Sequence, residues 1–247
     1  MNLPLPHARP RHRRRAVLAL AAAAIAAAAA AAVVASLPPS RQAPGMSPPP
    51  QSRVPAGTAG ATPGEPAVST SGWRAAGLDG TLVPVSPTAG PREDSGHLAS
   101  GFADTPAGAV LAAVGIAVRT SGQLGPAIFT PTITRQVTGA AAGTLLAAAW
   151  ADYAQASAQH PPASPGGPAG TTTATARAFQ LTSWTPSAAA IEVVTAADGA
   201  TGQEAVTRLQ VRRLDGDWRL VAPPGGDFAA EASPVTTLSG FTTLPWR

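Results

Sequence analysis

The 247-residue chain contains no cysteine, which excludes disulfides, thiolate metal sites, a cysteine nucleophile and a lipid anchor on a processed cysteine. It also contains no lysine. All 17 residues of the Lys/Arg class are arginines, so a Walker-type phosphate loop, a Schiff base and a Ser-Lys mechanism are excluded. Asn occurs once, at Asn2, and a shortage of Lys and Asn, both encoded by A/T-rich codons, points to a very G+C-rich genome. Aromatic residues make up only 4% of the chain and charged residues 12%. In their place stand 57 Ala, 25 Gly and 27 Pro, about 44% of all positions, far from an average globular composition. Ala inflates the 45% hydrophobic share and leaves about 54 larger apolar residues. That is enough core for one modest domain and not for two.

The charge is unevenly placed. Arg9, Arg11, Arg13, Arg14 and Arg15 come first, the first acid is Glu65, and from Ser36 onward 12 Arg face 13 acids, a balance of 12 − 13 = −1. The net charge of +4 is therefore made by an N-terminal arm, residues 1–15, and direct nucleic-acid binding by the body of the chain is not expected. Ala16–Ala35 follows as 20 residues without a charge, a Pro or a Gly, the length that crosses a hydrocarbon core as a helix. Fourteen of the 20 are Ala, and Val17, Leu18, Leu20, Ile25, Val33 and Val34 supply the rest, about 2 to 4 kcal/mol of insertion free energy. The expectation is a single-pass anchor in the inner (cytoplasmic) membrane, with the arginine arm inside and everything after Ser36 extracytoplasmic. A cleaved signal peptide is the competing reading, since a basic start, an apolar run and Val33-Val34-Ala35-Ser36 also fit that pattern; the length of the run favours retention.

Residues 36–71 hold nine Pro among Ala, Gly, Ser and Thr, with no aromatic residue, and cannot bury a core. They read as a disordered Pro-rich linker that holds the following domain away from the membrane, with recognition of Pro48–Pro50 by a partner as the alternative. The domain is expected over 72–247 with its core at about 104–222. Residues 73–101 are rich in turn formers and read as a lead-in with one edge strand, Gly80–Ser86, demoted by Pro84. Thr105 is placed to cap a helix and Pro106 to open it, and Ala107, Val110, Leu111, Val114 and Val118 recur at helical spacing, which predicts a helix over 106–119 with one apolar face. Gly108, Ala112 and Gly115 form a small stripe for close packing. A second helix is predicted over Ala140 to about Ala158, with Leu146, Ala149, Trp150 and Tyr153 in register, and between the two, Pro126 and Pro131 leave room for a short helix or a turn. Strands are predicted at 171–184, 188–196, 203–214 and 217–222, the last two joined by Asp215-Gly216, which supplies the positive φ of a type I′ turn. Helices followed by a four-stranded antiparallel meander make the fold class α+β.

This order, with Asp215, Gly216, Trp218, Arg219 and Leu220 in its last hairpin, resembles the nuclear-transport-factor-like fold, in which a bent sheet wraps a helix to form a cone. The segment Gly101–Ala113, together with the N-in anchor and the Pro-rich spacer, resembles actinobacterial membrane-anchored proteins associated with integrative and conjugative elements. These in turn look like the bitopic assembly subunits of type IV secretion and conjugation machines. The resemblance implies a non-catalytic extracytoplasmic subunit or scaffold of a conjugative transfer apparatus, with envelope or transfer-machine proteins as partners, self-association among them. It implies no catalytic residues and no cofactor. The alternatives are an envelope accessory that binds a small apolar ligand in the cone cavity and, by analogy of fold alone, a cone-fold enzyme.

No catalytic pair is legible. Asp152 beside Tyr153 reads as a surface acid on a helix, and His97 and His160 fall in Pro/Gly loops; four His without ligand spacing do not make a metal site. Trp150, Tyr153 and Trp218 are the candidates for lining a pocket, although aromatics at core spacing are ordinarily core. Arg208, Arg212 and Arg219 are the candidate partner contacts. Arg208 and Arg212 share strand parity with Gln210 and oppose Leu209 and Val211, so they are expected to face solvent; a solvated strand face is the plainer reading.

Overall fold

The computed structural model describes residues 67–170, 174–197 and 204–246. The predicted arm and anchor lie outside the described residues, as does most of the linker; among those described, no helix is long and apolar enough to cross a membrane. The fold is α+β with one large sheet.

The chain enters through a hairpin, β1 (Arg74–Leu78) and β2 (Thr81–Val85), and then a two-residue pair, β3 (Glu93–Asp94) with β4 (Ala99–Ser100). Asp79 and Gly80 close the first hairpin with φ of +42° and +86°, the same Asp-Gly chemistry that joins the last two long strands. Pro84 sits opposite Ala75 in this two-stranded sheet, where its missing donor costs no ladder bond. Far from being a lead-in, the segment contributes Trp73, Leu78, Val83, Ala89, Ala99 and Phe102 to the core. Trp73 stacks on Phe179 with centroids 5.5 Å apart.

Helix α1 (Pro106–Arg119) has the predicted bounds, with the Thr105 hydroxyl accepting the Gly108 amide and Pro106 at its start. The expectation of a single apolar face is corrected: every residue from Gly108 to Arg119 is buried, because the sheet, β2 and the next helix enclose it. Helix α2 (Pro126–Gln136) is longer than the short helix or turn that its two prolines predicted. Pro126 opens it, and Pro131 is carried inside because Ile128, Phe129, Thr132 and Ile133 are buried on one side of it. Strand β5 (Val137–Thr138) then leads to α3 (Ala142–Gln159).

The four long strands are β6 (Ala174–Thr185), β7 (Ala188–Ala197), β8 (Glu204–Leu214) and β9 (Asp217–Val221), an antiparallel meander with the predicted elements in the predicted order. Asp215 at φ +53° and Gly216 at +85° make the turn between β8 and β9. Two register shifts in β6, at Arg177 and Thr182, add the local twist that lets the sheet bend around α1. After β9 the chain returns as β10 (Ala232–Val235) on β8 and β11 (Thr242–Thr243) on β6, while β5 lies parallel to β9. Leu244 and Trp246 are buried, and the Trp246 indole donates to the Ala176 carbonyl at 3.2 Å. The core therefore runs from Trp73 to Trp246 and not over 104–222 alone.

Candidate functional site

The densest polar site joins the start of α1 to the last hairpin. Asp217 accepts three backbone amides: Gly101 at 2.8 Å, Phe102 at 3.1 Å and its own neighbour Trp218 at 2.8 Å. The Trp218 indole, fully buried, donates to the Ala103 carbonyl at 2.9 Å. Asp104 pairs with Arg213 at 3.1 Å. Gly101 has φ +76°, and a Cβ at Gly108 would stand 2.0 Å from the Ala103 oxygen, so both glycines are required by the close passage of this strap. Further along, Arg119, 1% exposed, reaches Asp94 at 2.7 Å and the Gly115 carbonyl at 3.2 Å. Burial lowers the pKa of this guanidinium, and Asp94 opposes the shift. Gln136 donates to the Ala99 carbonyl. These groups are spent on holding residues 93–104 against α1, α2 and the sheet.

On the outer face of β8, Arg208, Gln210 and Arg212 are exposed and Leu209 and Val211 buried, as their parity predicts. Arg208 lies opposite Glu192 of β7. Arg212 lies opposite Arg219, a like-charge pair that favours turning one partner away. Arg219 is the one turned: it binds Asp215 at 3.0 Å and donates to the Arg135 carbonyl. The arginines left exposed on this face are thus Arg208 and Arg212, with Arg219 tied back.

The three aromatic candidates are not brought together. Trp218 lies in the core, and Trp150, expected in register with the buried side of α3, is 46% exposed. Leu145 and Ala149 are the buried residues of α3; in so Ala-rich a helix one Trp outweighs the others in any estimate of the apolar direction. Trp150 and Tyr153 pack instead on Phe129 of α2, with Trp150–Phe129 centroids at 5.2 Å, Tyr153–Phe129 at 6.2 Å and Trp150–Tyr153 at 6.1 Å. An apolar cavity does lie between α1 and the sheet, under Phe228, with Thr120, Thr195 and Thr207 on its wall. Its volume is about 30 Å³, room for a water or two and not for a small-molecule ligand. The Thr207 hydroxyl there is buried without a protein partner.

A second groove, about 50 Å³, separates α3 from the segment after β9 and holds Asp152 and Asp227 with no basic residue in its lining. Burial, and then the charge of Asp227, push the Asp152 carboxyl above its ordinary range. Among the described residues no group of three or more His, Asp or Glu is placed to hold a metal ion.

A family model matches residues 37–243, more than four fifths of the chain. The chain belongs to that family, described as Domain of unknown function (DUF8175). No curated protein and no solved structure matches it. The DUF8175 match takes in the Pro-rich residues from 37 as well as the folded part and the returning C-terminal segment. What sequence reasoning missed in this DUF8175 chain is that the start of the Gly101–Ala113 segment and the Asp215–Leu220 hairpin, singled out separately, are two halves of one contact. The partners are 115 residues apart, so no local pattern links them. The signal that could have found them is that a Gly-Phe strap before a cap and an Asp-Trp after a tight turn each expose donors or acceptors without a local partner.

Proposed function

We propose that the protein is a non-catalytic, membrane-tethered subunit of an envelope transfer apparatus of the conjugative, type IV secretion-like kind, working by protein contact outside the inner membrane. The observation that carries the reading is the exposed Arg208–Gln210–Arg212 row on the large sheet, set in a chain that begins with a basic arm, a 20-residue apolar run and a Pro-rich spacer. A cone of the nuclear-transport-factor kind is the finer fold in this reading, supported by a bent meander around an enclosed α1. The named apparatus rests on the resemblance of Gly101–Ala113. In such a subunit tethering matters, because a free domain forfeits the effective concentration that an anchor provides.

The test is transfer frequency from donors lacking the gene. Deletion is expected to reduce transfer with growth unchanged, the full chain to restore it, and a secreted form without residues 1–35 to leave it low. Full rescue by the secreted form would refute the tethered-contact role.

A further inference from the structure

Two voids meet at the C-terminal end of α1. One is the apolar cavity between α1 and the sheet, the other the groove between α3 and the segment after β9; Thr120 and Phe228 belong to both linings and so stand between them. Each void has a feature that packing leaves unexplained. On the apolar side the hydroxyl of Thr207, a residue 3% exposed, has no protein partner, and strand parity with the buried Leu209 and Val211 turns it inward. A hydroxyl in a dry wall is disfavoured until something bonds it. In the groove, Asp152 and Asp227 stand together with no basic residue among those that line it. Burial and the charge of Asp227 disfavour the Asp152 carboxylate, and a cation beside the pair would relieve the repulsion. Thr120 and Ser121 of the same groove directly follow α1, where the last carbonyls of that 14-residue helix present the negative end of its dipole.

Phe228 is the part that can give way. It is half-buried, between the turns Pro224–Gly226 and Ala229–Glu231, and packs on the core with solvent on its other side. The two voids, about 30 and 50 Å³, separately admit only water. With the Phe228 ring turned out, the place it leaves fits a benzene ring, and a ring seated there borders both voids, so that a substituent can enter each.

We propose that the two voids form one binding site for a small arylalkyl amine, whose ring takes the place of the Phe228 ring, whose ammonium lies against the Asp152–Asp227 pair and whose far end bonds the Thr207 hydroxyl. A neutral alcohol of the same shape forfeits the charge-assisted hydrogen bonds, and a carboxylate is repelled. The proposal does not depend on the transfer role.

The test uses the full chain in detergent micelles, labelled with 4-fluorophenylalanine at its five Phe positions, the Phe228 signal assigned by Phe228→Leu. The probe is 4-hydroxyphenylethylamine, its free concentration fixed by dialysis. The Phe228 signal is expected to move saturably with a Kd of the order of 0.1 to 1 mM, as suits so small a ligand. Its H₂O/D₂O isotope shift should rise as the ring turns to solvent, while the other four signals keep theirs and so report an intact fold. The alcohol counterpart, 2-(4-hydroxyphenyl)ethanol, should bind at least about tenfold more weakly. Asp152→Asn/Asp227→Asn, which keeps the Asp227 oxygen that accepts the Ala229 amide, should bring the amine down to the level of the alcohol. In wild type, 2-phenylethylamine should bind about threefold more weakly than the phenol, a difference that Thr207→Val removes. No saturable change up to about 20 mM amine, equal affinity for amine and alcohol, or an amine affinity that the double Asn variant leaves intact overturns the proposal. Should the double variant not fold, the ratio of amine to alcohol affinity in wild type decides.

Discussion

Asp217 has the most consequential single side chain in the domain, since one carboxylate accepts three amides, two of them from a strap 115 or more residues earlier. Asp217→Ala leaves those donors without their acceptor and is expected to cost about 2 to 4 kcal/mol, read as a lower denaturation midpoint at unchanged slope; Asp217→Asn, which keeps one oxygen, should recover part of it. Asp152 illustrates the opposite case, a carboxylate disfavoured where it sits. Burial and Asp227 raise its pKa in the folded state, so the folded form holds a proton that the unfolded chain has released. The stability this confers is full below the unfolded value of about 3.9 and is lost as pH rises through the folded value. Asp152→Asn should raise the thermal midpoint at pH 7 and leave it unchanged near pH 3. The cap at Thr105 was legible because caps are local. The role of Asp217 was not, because its partners are remote in sequence.

At the level of elements, the bounds of α1 and the four long strands followed from spacing, turn residues and strand parity, all of which act over a few residues. Where the reading failed, a local rule was overridden or left unused. Asp79-Gly80 carries the same turn signal as Asp215-Gly216, but the strand before it, Arg74–Leu78, is too polar and small to read as one. Pro131 argued for a break, yet α2 passes through it because burial of Phe129, Thr132 and Ile133 outweighs one missing backbone bond. Pro131→Ala restores the donor to the Ala127 carbonyl and should stabilise the domain by about 1 kcal/mol or more. A rise of about 2 to 4 °C in the thermal midpoint is the expected reading.

For the molecule as a whole, the core draws on residues outside the α1-to-β9 stretch on both sides: Trp73 and Phe102 before it, Leu244 and Trp246 after it. A fragment limited to 104–222 is therefore expected to show no cooperative transition, whereas 67–247 should unfold in a single step, both followed by circular dichroism. The returning C-terminal segment was illegible because β10 and β11 are four and two residues long and gain order only by pairing with strands already in place. The proposed contact role turns on the exposed Arg208 and Arg212. The decisive measurement is transfer frequency in donors carrying, in separate strains, Arg208→Glu/Arg212→Glu, Tyr153→Phe and His160→Ala, each checked for folding by its thermal midpoint. The double charge reversal should lower transfer about a hundredfold, and Tyr153→Phe and His160→Ala should each stay within a few-fold of wild type. A hundredfold loss from Tyr153→Phe or His160→Ala in a folded chain, about 2.7 kcal/mol of barrier, with no effect of the charge reversal, would mean that the protein acts by chemistry and not by contact.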